Sequence, residues 1–269
     1  MNLPTAPLRV SLVQGSTRWH DAAGNREYYG GLVRTLAGQG DLVVLPETFL
    51  SGFTNETLGN AETMDGEGLR WLRGLAAEVG AVVTGSLVVR EGDKCVNRLV
   101  WMCPDGSHAC YDKRHLFRMA GEHERYTGGS ERLVVDINGW RICPQVCYDL
   151  RFPVWLRNRW SREAQRFDYD LLVFVANWPS PRRYAWSTLL RARAIENLSY
   201  CVGVNRVGSD GNGHAYSGDS AVLDFLGQPL VELGAQEQVV TVSLDPQALA
   251  AHRERFPAWM DADAFTILD

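Results

Sequence analysis

Cys147 draws attention because of where it falls. It follows the apolar run 140–146 and precedes Tyr148-Asp149-Leu150-Arg151-Phe152-Pro153. A strand ending near Val146 and a helix opening at Pro153 put the thiol at a strand-to-helix turn, since proline is favoured in a first helical turn. Unpaired backbone N–H groups there favour the thiolate, the sulfur counterpart of a nucleophile elbow. A buried packing cysteine is the commoner occupant of such a run, so the chemistry needs partners: a base and a group that stabilises an oxyanion. Six histidines are present, at 20, 108, 115, 123, 214 and 252, and none has a context that singles it out; His115 is the nearest to other candidates. Glu47 ends the run Leu42-Val43-Val44-Leu45-Pro46, where a carboxylate points into the crevice at the carboxyl end of a buried strand. Lys113 follows a short strand-like stretch at 109–111 and supplies a cation. Taken singly, a strand-end Glu or Lys is common in any α/β protein.

The elements that must position these residues are legible as Val/Ile/Leu-rich runs, which suit strands covered on both faces. They fall at 8–14, 41–45, 81–89, 97–102, 133–137, 140–146, 171–176, 200–205, 220–225 and 239–244. Helical patterns are predicted over 22–36, 68–78, 152–165 and 184–198; the last places Leu189, Leu190, Ala194, Ile195 and Leu198 on one stripe. From 81 to 146 strands and turns dominate, and Asn138-Gly139 suits a two-residue hairpin. No Pro- or Ser-rich linker and no repeat interrupts the chain, so residues 1–269 read as one domain with sheet inside and helices outside.

Composition narrows the class. The chain has 269 residues, 45% hydrophobic and 22% charged, enough for a core without metal or disulfide staples. The net charge of −5 disfavours a nucleic-acid partner. The arginines at 157, 159, 162 and 166 read as a solvated helix face. The longest apolar run, Leu171 to Ala176, is far short of a bilayer span, and residues 1–9 lack a basic segment followed by an apolar one. A cytoplasmic protein is expected. The six cysteines, at 95, 103, 110, 143, 147 and 201, form no Cys-x-x-Cys pair and no zinc-site pattern, so no metal is expected.

Together the candidate segments are specific. Leu45-Pro46-Glu47, Tyr111-Asp112-Lys113-Arg114-His115-Leu116-Phe117 and Val146-Cys147-Tyr148-Asp149-Leu150-Arg151-Phe152-Pro153 resemble the three signature segments of the nitrilase (carbon–nitrogen hydrolase) superfamily, in the family's order. Ala176-Asn177-Trp178-Pro179, Arg193-Ala194-Ile195-Glu196-Asn197 and Asn205-Arg206-Val207-Gly208 match further stretches. The ending 256–265 is similar to the bacterial ω-amidase branch. The resemblance implies a four-layer αββα sandwich, with two mixed sheets face to face. It implies that Cys147 is the nucleophile and Glu47 the general base. Lys113 would then be an oxyanion stabiliser, with the Tyr148 backbone N–H as second donor, and Glu122 or Glu124 a supporting carboxylate. No organic cofactor is implied.

ω-Amidases act on short ω-amides of 2-oxo dicarboxylates, so a cation is expected beyond the triad. Arg151 is available, against the competing reading of an ion pair with Asp149 or Glu196. Phe53, Tyr126, Trp178 and Trp186 are candidates to shape the pocket, Trp178 foremost because it directly follows a strand end. Relatives acting on deaminated glutathione, an N-carbamoyl amine or a nitrile form the second reading. A non-catalytic binding protein on the same fold is the third, disfavoured by the presence of all three triad residues. Family members pair through outer helices, so a homodimer through 152–165 and 184–198 is expected.

Overall fold

Alternation along two short strands sets the layering. The computed structural model, which describes residues 4–267, places β1 at Leu8–Gln14, helix α1 at Ala22–Arg34 and β2 at Leu42–Val44. Successive side chains of a strand face opposite ways. Leu8, Val10, Leu12, Leu42 and Val44 therefore enter one core, while Val13 and Val43 enter another. The second core is closed by α1 and by α3 (Glu67–Val79), which follows the single-turn α2 (Thr57–Asn60). Leu69, Leu72, Leu75, Ala76 and Val79 form the buried stripe of α3, and Gly80 ends it in the left-handed conformation (φ 67°) that glycine adopts without a Cβ clash.

The first sheet continues with β3 (Val82–Glu91), β4 (Lys94–Met102) and β5 (His108–Asp112). After the one-turn α4 (Glu122–Arg125), the hairpin of β6 (Val135–Ile137) and β7 (Trp140–Val146) begins the second sheet. Its turn residues Asn138 and Gly139 both have positive φ, 52° and 86°, as a primed hairpin turn requires. A 3-10 turn (Cys147–Arg151), α5 (Pro153–Leu156) and a small hairpin of β8 (Trp160–Ser161) and β9 (Arg166–Phe167) lead to β10 (Leu171–Ala176). Then come α6 (Arg183–Asn197), β11 (Tyr200–Asn205), the hairpin of β12 (Val207–Ser209) and β13 (Ala215–Ser217), β14 (Ala221–Leu223), β15 (Pro229–Glu232), β16 (Gln238–Leu244) and α7 (Pro246–Arg255).

The strand orders are β16-β1-β2-β3-β4-β5 and β15-β14-β11-β10-β7-β6. β1, β2 and β3 are parallel in the first sheet, β7, β10 and β11 in the second, and antiparallel strands flank both sets. One hydrophobic core runs between the sheets, joining Leu12 and Trp101 to Val146, Val175 and Val204. All six β10 residues are buried, because Trp186, Leu190 and Ala194 of α6 share that core. The result is the four-layer αββα sandwich.

The main departure from the sequence reading is 152–165, where a helix was expected. Only Pro153–Leu156 is helical. The buried Asn158 side chain bonds Tyr169 N (3.1 Å), Tyr169 O (2.9 Å) and Asn197 O (3.0 Å), side-chain-to-backbone bonding that competes with a helix ladder. The chain then folds into the β8–β9 hairpin, whose Trp160 and Phe167 pack edge to face. Arg157, Arg159, Arg162 and Arg166 therefore form no helix face; Arg157 donates to Glu196 O and Arg159 to Asp168. Helix α7 was missed although Asp245-Pro246 is a start signal: the Asp245 carboxylate accepts from Gln247 N and Ala248 N. No helix among the described residues is long and apolar enough to cross a membrane.

Candidate active site

The parallel strands deliver polar residues to one edge of the sandwich. Cys147 directly follows β7, Asn177 directly follows β10, Glu47 lies three residues past β2, and Lys113 directly follows β5. Cys147 has φ 45°, a left-handed conformation that costs a residue with a Cβ about 1–3 kcal/mol unless its surroundings hold it. The holding group is the buried Asp149 carboxylate. It accepts from Val146 N (3.1 Å), Tyr111 Oη (2.9 Å), His115 N (3.0 Å) and His115 Nδ1 (2.7 Å). One carboxylate thus ties the turn bearing Cys147 to the segment bearing Lys113. His115 is committed to this bond and stacks on Phe152 at 3.7 Å. Among the described residues no hydrogen bond joins a histidine to Cys147, whose Sγ lies 4.0 Å from Asn177 O.

Glu47 is buried and fully engaged. Its Oε1 accepts from Asn97 Nδ2 (2.8 Å) and Lys113 Nζ (3.0 Å), and its Oε2 from Asn177 N (2.8 Å). Asn177 Nδ2 donates to Glu47 O (2.7 Å) and Thr48 Oγ1 (2.8 Å), which locks the end of β10 against the loop from the other sheet. Lys113 Nζ also donates to both oxygens of Glu122, at 2.9 and 3.0 Å. Glu122 Oε2 accepts in turn from Phe117 N at 2.5 Å. Glu122, and not the exposed Glu124, is the carboxylate beside Lys113.

Burial and charge oppose each other here. Burial alone pushes the Lys113 ammonium down, but the carboxylates of Glu122 and Glu47 hold it well above the ordinary lysine value. Burial raises Glu122, and Lys113 only partly offsets this. Cys147 is pushed well above the ordinary thiol value, first by burial and second by the negative charge of Glu47, with Lys113 pulling the other way. The turn position alone favours the thiolate, but burial and the Glu47 charge push the other way, in keeping with the expectation that a base takes the thiol proton. The N–H groups of a single 3-10 turn do not outweigh burial.

These groups open onto a cavity of about 440 Å³. Glu47, Lys113, Cys147 and Tyr148 line it, as do Phe53, Arg151 and Trp178. Phe53 lies 5.4 Å from Lys113 Nζ, and the Arg151 guanidinium lies over the Trp178 ring at 4.9 Å. The expected ion pair of Arg151 with Asp149 or Glu196 is not formed. Asp149 is saturated by the bonds above, and Glu196 pairs with Arg193 at 2.9 Å. Tyr126 does not line the cavity, a correction: its ring packs with Val88 and Cys95 and its hydroxyl donates to Thr54 O. Trp186 is also core, its indole N–H donating to Asp219 O. Sequence reasoning missed Asn97, because nothing along β4 distinguishes an inward asparagine, and missed the positioning role of Asn177. No group of three or more His, Cys, Asp or Glu among the described residues is placed to hold a metal ion.

A cysteine and a buried Glu–Lys–Glu chain thus meet on one cavity of an αββα sandwich, and the class this fits is a carbon–nitrogen hydrolase. The chain belongs to the carbon–nitrogen hydrolase family, whose model matches residues 9–254, and it acts on amides. It is 47% identical over 263 residues to an ω-amidase, YafV, of Yersinia enterocolitica, covering 97% of this chain and 99% of that one. It is 33% identical over 224 residues to a 2-oxoglutaramate amidase of Bacillus subtilis, covering 82% and 84%. The crystal structure of XC1258 from Xanthomonas campestris superposes with a TM-score of 0.96 at 61% identity, covering 98% and 100% of the two chains; it carries an arsenic adduct in its active site. A Glu-to-Gln mutant of an amidase from Nesterenkonia sp. AN1, with acrylamide added at its active-site cysteine, superposes at 0.79 with 26% identity, covering 93% and 98%.

Proposed function

We propose that the protein hydrolyses the terminal amide of a short ω-amide of a 2-oxo dicarboxylate, 2-oxoglutaramate or 2-oxosuccinamate, through a thioester on Cys147. The observation that carries this reading is the meeting of Glu47, Lys113 and Cys147, drawn from separate strands of both sheets, on one cavity. Their meeting also supports one domain over the whole chain.

In the reading, Cys147 Sγ attacks the amide carbonyl carbon as its proton passes to Glu47. The oxyanion is met by Lys113 Nζ and the Tyr148 backbone N–H. Glu47 returns the proton to the amide nitrogen, the C–N bond breaks, and ammonia leaves. Water then attacks the thioester, giving its proton to Glu47; the C–S bond breaks and Cys147 regains the proton. Glu122 holds Lys113 in place. Asn177 and Asn97 aim the Glu47 carboxylate. Arg151, free of a carboxylate partner, is the cation for the distal carboxylate, with Trp178 and Phe53 as pocket walls.

The ω-amidase and 2-oxoglutaramate amidase names of the relatives support this substrate. The size of the cavity favours one alternative, a thiol amidase acting on a longer amide such as deaminated glutathione, with N-carbamoyl amines and nitriles as further possibilities. Ammonia release from 2-oxoglutaramate, deaminated glutathione and simple nitriles, by wild type and Cys147→Ala, separates them. No release from 2-oxoglutaramate refutes the narrow substrate, and normal turnover by Cys147→Ala refutes the mechanism. The six free cysteines suit a reducing compartment such as the cytoplasm. The homodimer reading now rests on α6 and the short α5, where Tyr184, Ile195 and Val154 are exposed. A monomer by sedimentation at micromolar concentration contradicts it.

A further inference from the structure

Two guanidinium groups line the cavity that holds Cys147, and sequence reasoning pointed to only one of them. Arg182 closes the 3-10 turn Ser180–Arg182 between β10 and α6. Its guanidinium lies over the Phe117 ring at 5.2 Å, as that of Arg151 lies over Trp178 at 4.9 Å. The two are linked through Trp178, whose indole N–H donates to Arg182 O at 2.8 Å. Among the described residues neither guanidinium has a carboxylate partner, whereas the adjacent Arg183 is committed to Asp219. The acids on the cavity wall are engaged or turned outward. Glu47 holds Lys113; Asp210 accepts from Asn212 N, His214 N and Tyr216 Oη; the Glu56 side chain is 81% exposed beside His20.

We propose that Arg182 is a specificity-determining residue: with Arg151 it forms a two-guanidinium clamp on the carboxylate and 2-oxo oxygen of the substrate, selecting 2-oxo acid amides over the matching 2-amino acid amides. The proposal rests on the substrate reading above and deepens it. A guanidinium offers only donors, in a fork that fits a carboxylate. The aromatic faces of Phe117 and Trp178 hold each guanidinium plane and leave N–H edges for a ligand. A 2-oxo group adds an acceptor beside the carboxylate, so both forks are satisfied. A 2-ammonium group adds donors and positive charge at the same place, leaving a guanidinium unpaired and repelled.

The test compares kcat/KM for 2-oxoglutaramate, glutamine and the uncharged butanamide in wild type, Arg182→Gln, Arg182→Lys and Arg183→Gln. Wild type prefers 2-oxoglutaramate over glutamine. In Arg182→Gln the ratio of 2-oxoglutaramate to butanamide falls roughly ten- to hundredfold, the worth of one charge-assisted bond, mainly through KM. Arg182→Lys recovers part of the ratio, because the charge remains without the fork, and Arg183→Gln leaves it unchanged. Equal losses on both substrates, or an unchanged ratio in an enzyme that hydrolyses 2-oxoglutaramate, overturn the clamp. A wild-type enzyme that hydrolyses butanamide but not 2-oxoglutaramate, or neither, overturns the substrate reading instead.

Discussion

Replacing Glu122 by glutamine keeps the shape of the side chain and removes its charge, which isolates what that carboxylate does for Lys113. The amide oxygen retains two bonds if it takes the place of Oε2, which receives Lys113 Nζ at 3.0 Å and Phe117 N at 2.5 Å. The amide nitrogen then stands where Oε1 was, 2.9 Å from Lys113 Nζ, donor against donor. One charge-assisted bond is lost, worth about 1.5–3 kcal/mol. A buried ammonium left wholly unpaired would cost about 3–5 kcal/mol, and Glu47 still pairs with it, so a loss of about 3 kcal/mol is expected. At 2–4 °C per kcal/mol for a chain of this size, Tm falls by roughly 6–12 °C. Lys113 moves toward Glu47 and away from the oxyanion position, so kcat falls about a hundredfold, the loss typical of one misplaced oxyanion donor. Steady-state ammonia release and a calorimetric melt measure the two effects. A Glu122→Gln enzyme with kcat within about twofold of wild type and an unchanged Tm refutes the positioning role.

Three other outcomes follow from the same geometry. Asp149→Ala strips four hydrogen bonds from the join between the Cys147 turn and the Lys113 segment; kcat and Tm both fall, whereas His115→Gln, which removes only one of the four, has the smaller effect on each in the same assays. Because burial and the Glu47 charge push the Cys147 thiol above its ordinary value, the rate of its alkylation by iodoacetamide is expected to show no ionisation step at or below pH 9 and to climb beyond it; a plateau reached near pH 7 contradicts that direction. Lys113 is raised in the fold, so its contribution to stability is full below the ordinary value of 10.5 and is lost as pH climbs toward the folded value. Glu122→Gln lowers that folded value, so the alkaline loss, which begins near the unfolded value in both enzymes, is smaller in the variant, and denaturant melts between pH 9 and 11 show a shallower decline than in wild type.

How much of this was legible in the sequence depends on whether a signal is local. The β7 and β10 boundaries, the Asn138-Gly139 turn, the Glu47 strand end and the Cys147 turn are local patterns, and the structure places them as read. The segment 152–165 failed because Asn158 finds partners at Tyr169 and Asn197, which no helical period reveals. Tyr126 was misplaced for a related reason. It follows the buried Glu122 by one helical turn, yet its hydroxyl donates to Thr54 O, 72 residues earlier in the chain. The turn that carries Cys147 is visible in sequence, whereas the burial and the neighbouring Glu47 charge that push its thiol up are not. Asn97 reaches Glu47 from another strand of the same sheet, and Asn177 and Arg182 meet Glu47 and Phe117 across the two sheets, contacts with no local signal.

Rapid-quench mass spectrometry of the wild-type enzyme with 2-oxoglutaramate tests the Cys147 chemistry most directly. Thioester formation predicts a peptide containing Cys147 that carries the acyl group, appearing with the first turnover and absent from Cys147→Ala. A Cys147 peptide that stays unmodified at every quench time while ammonia is released contradicts it.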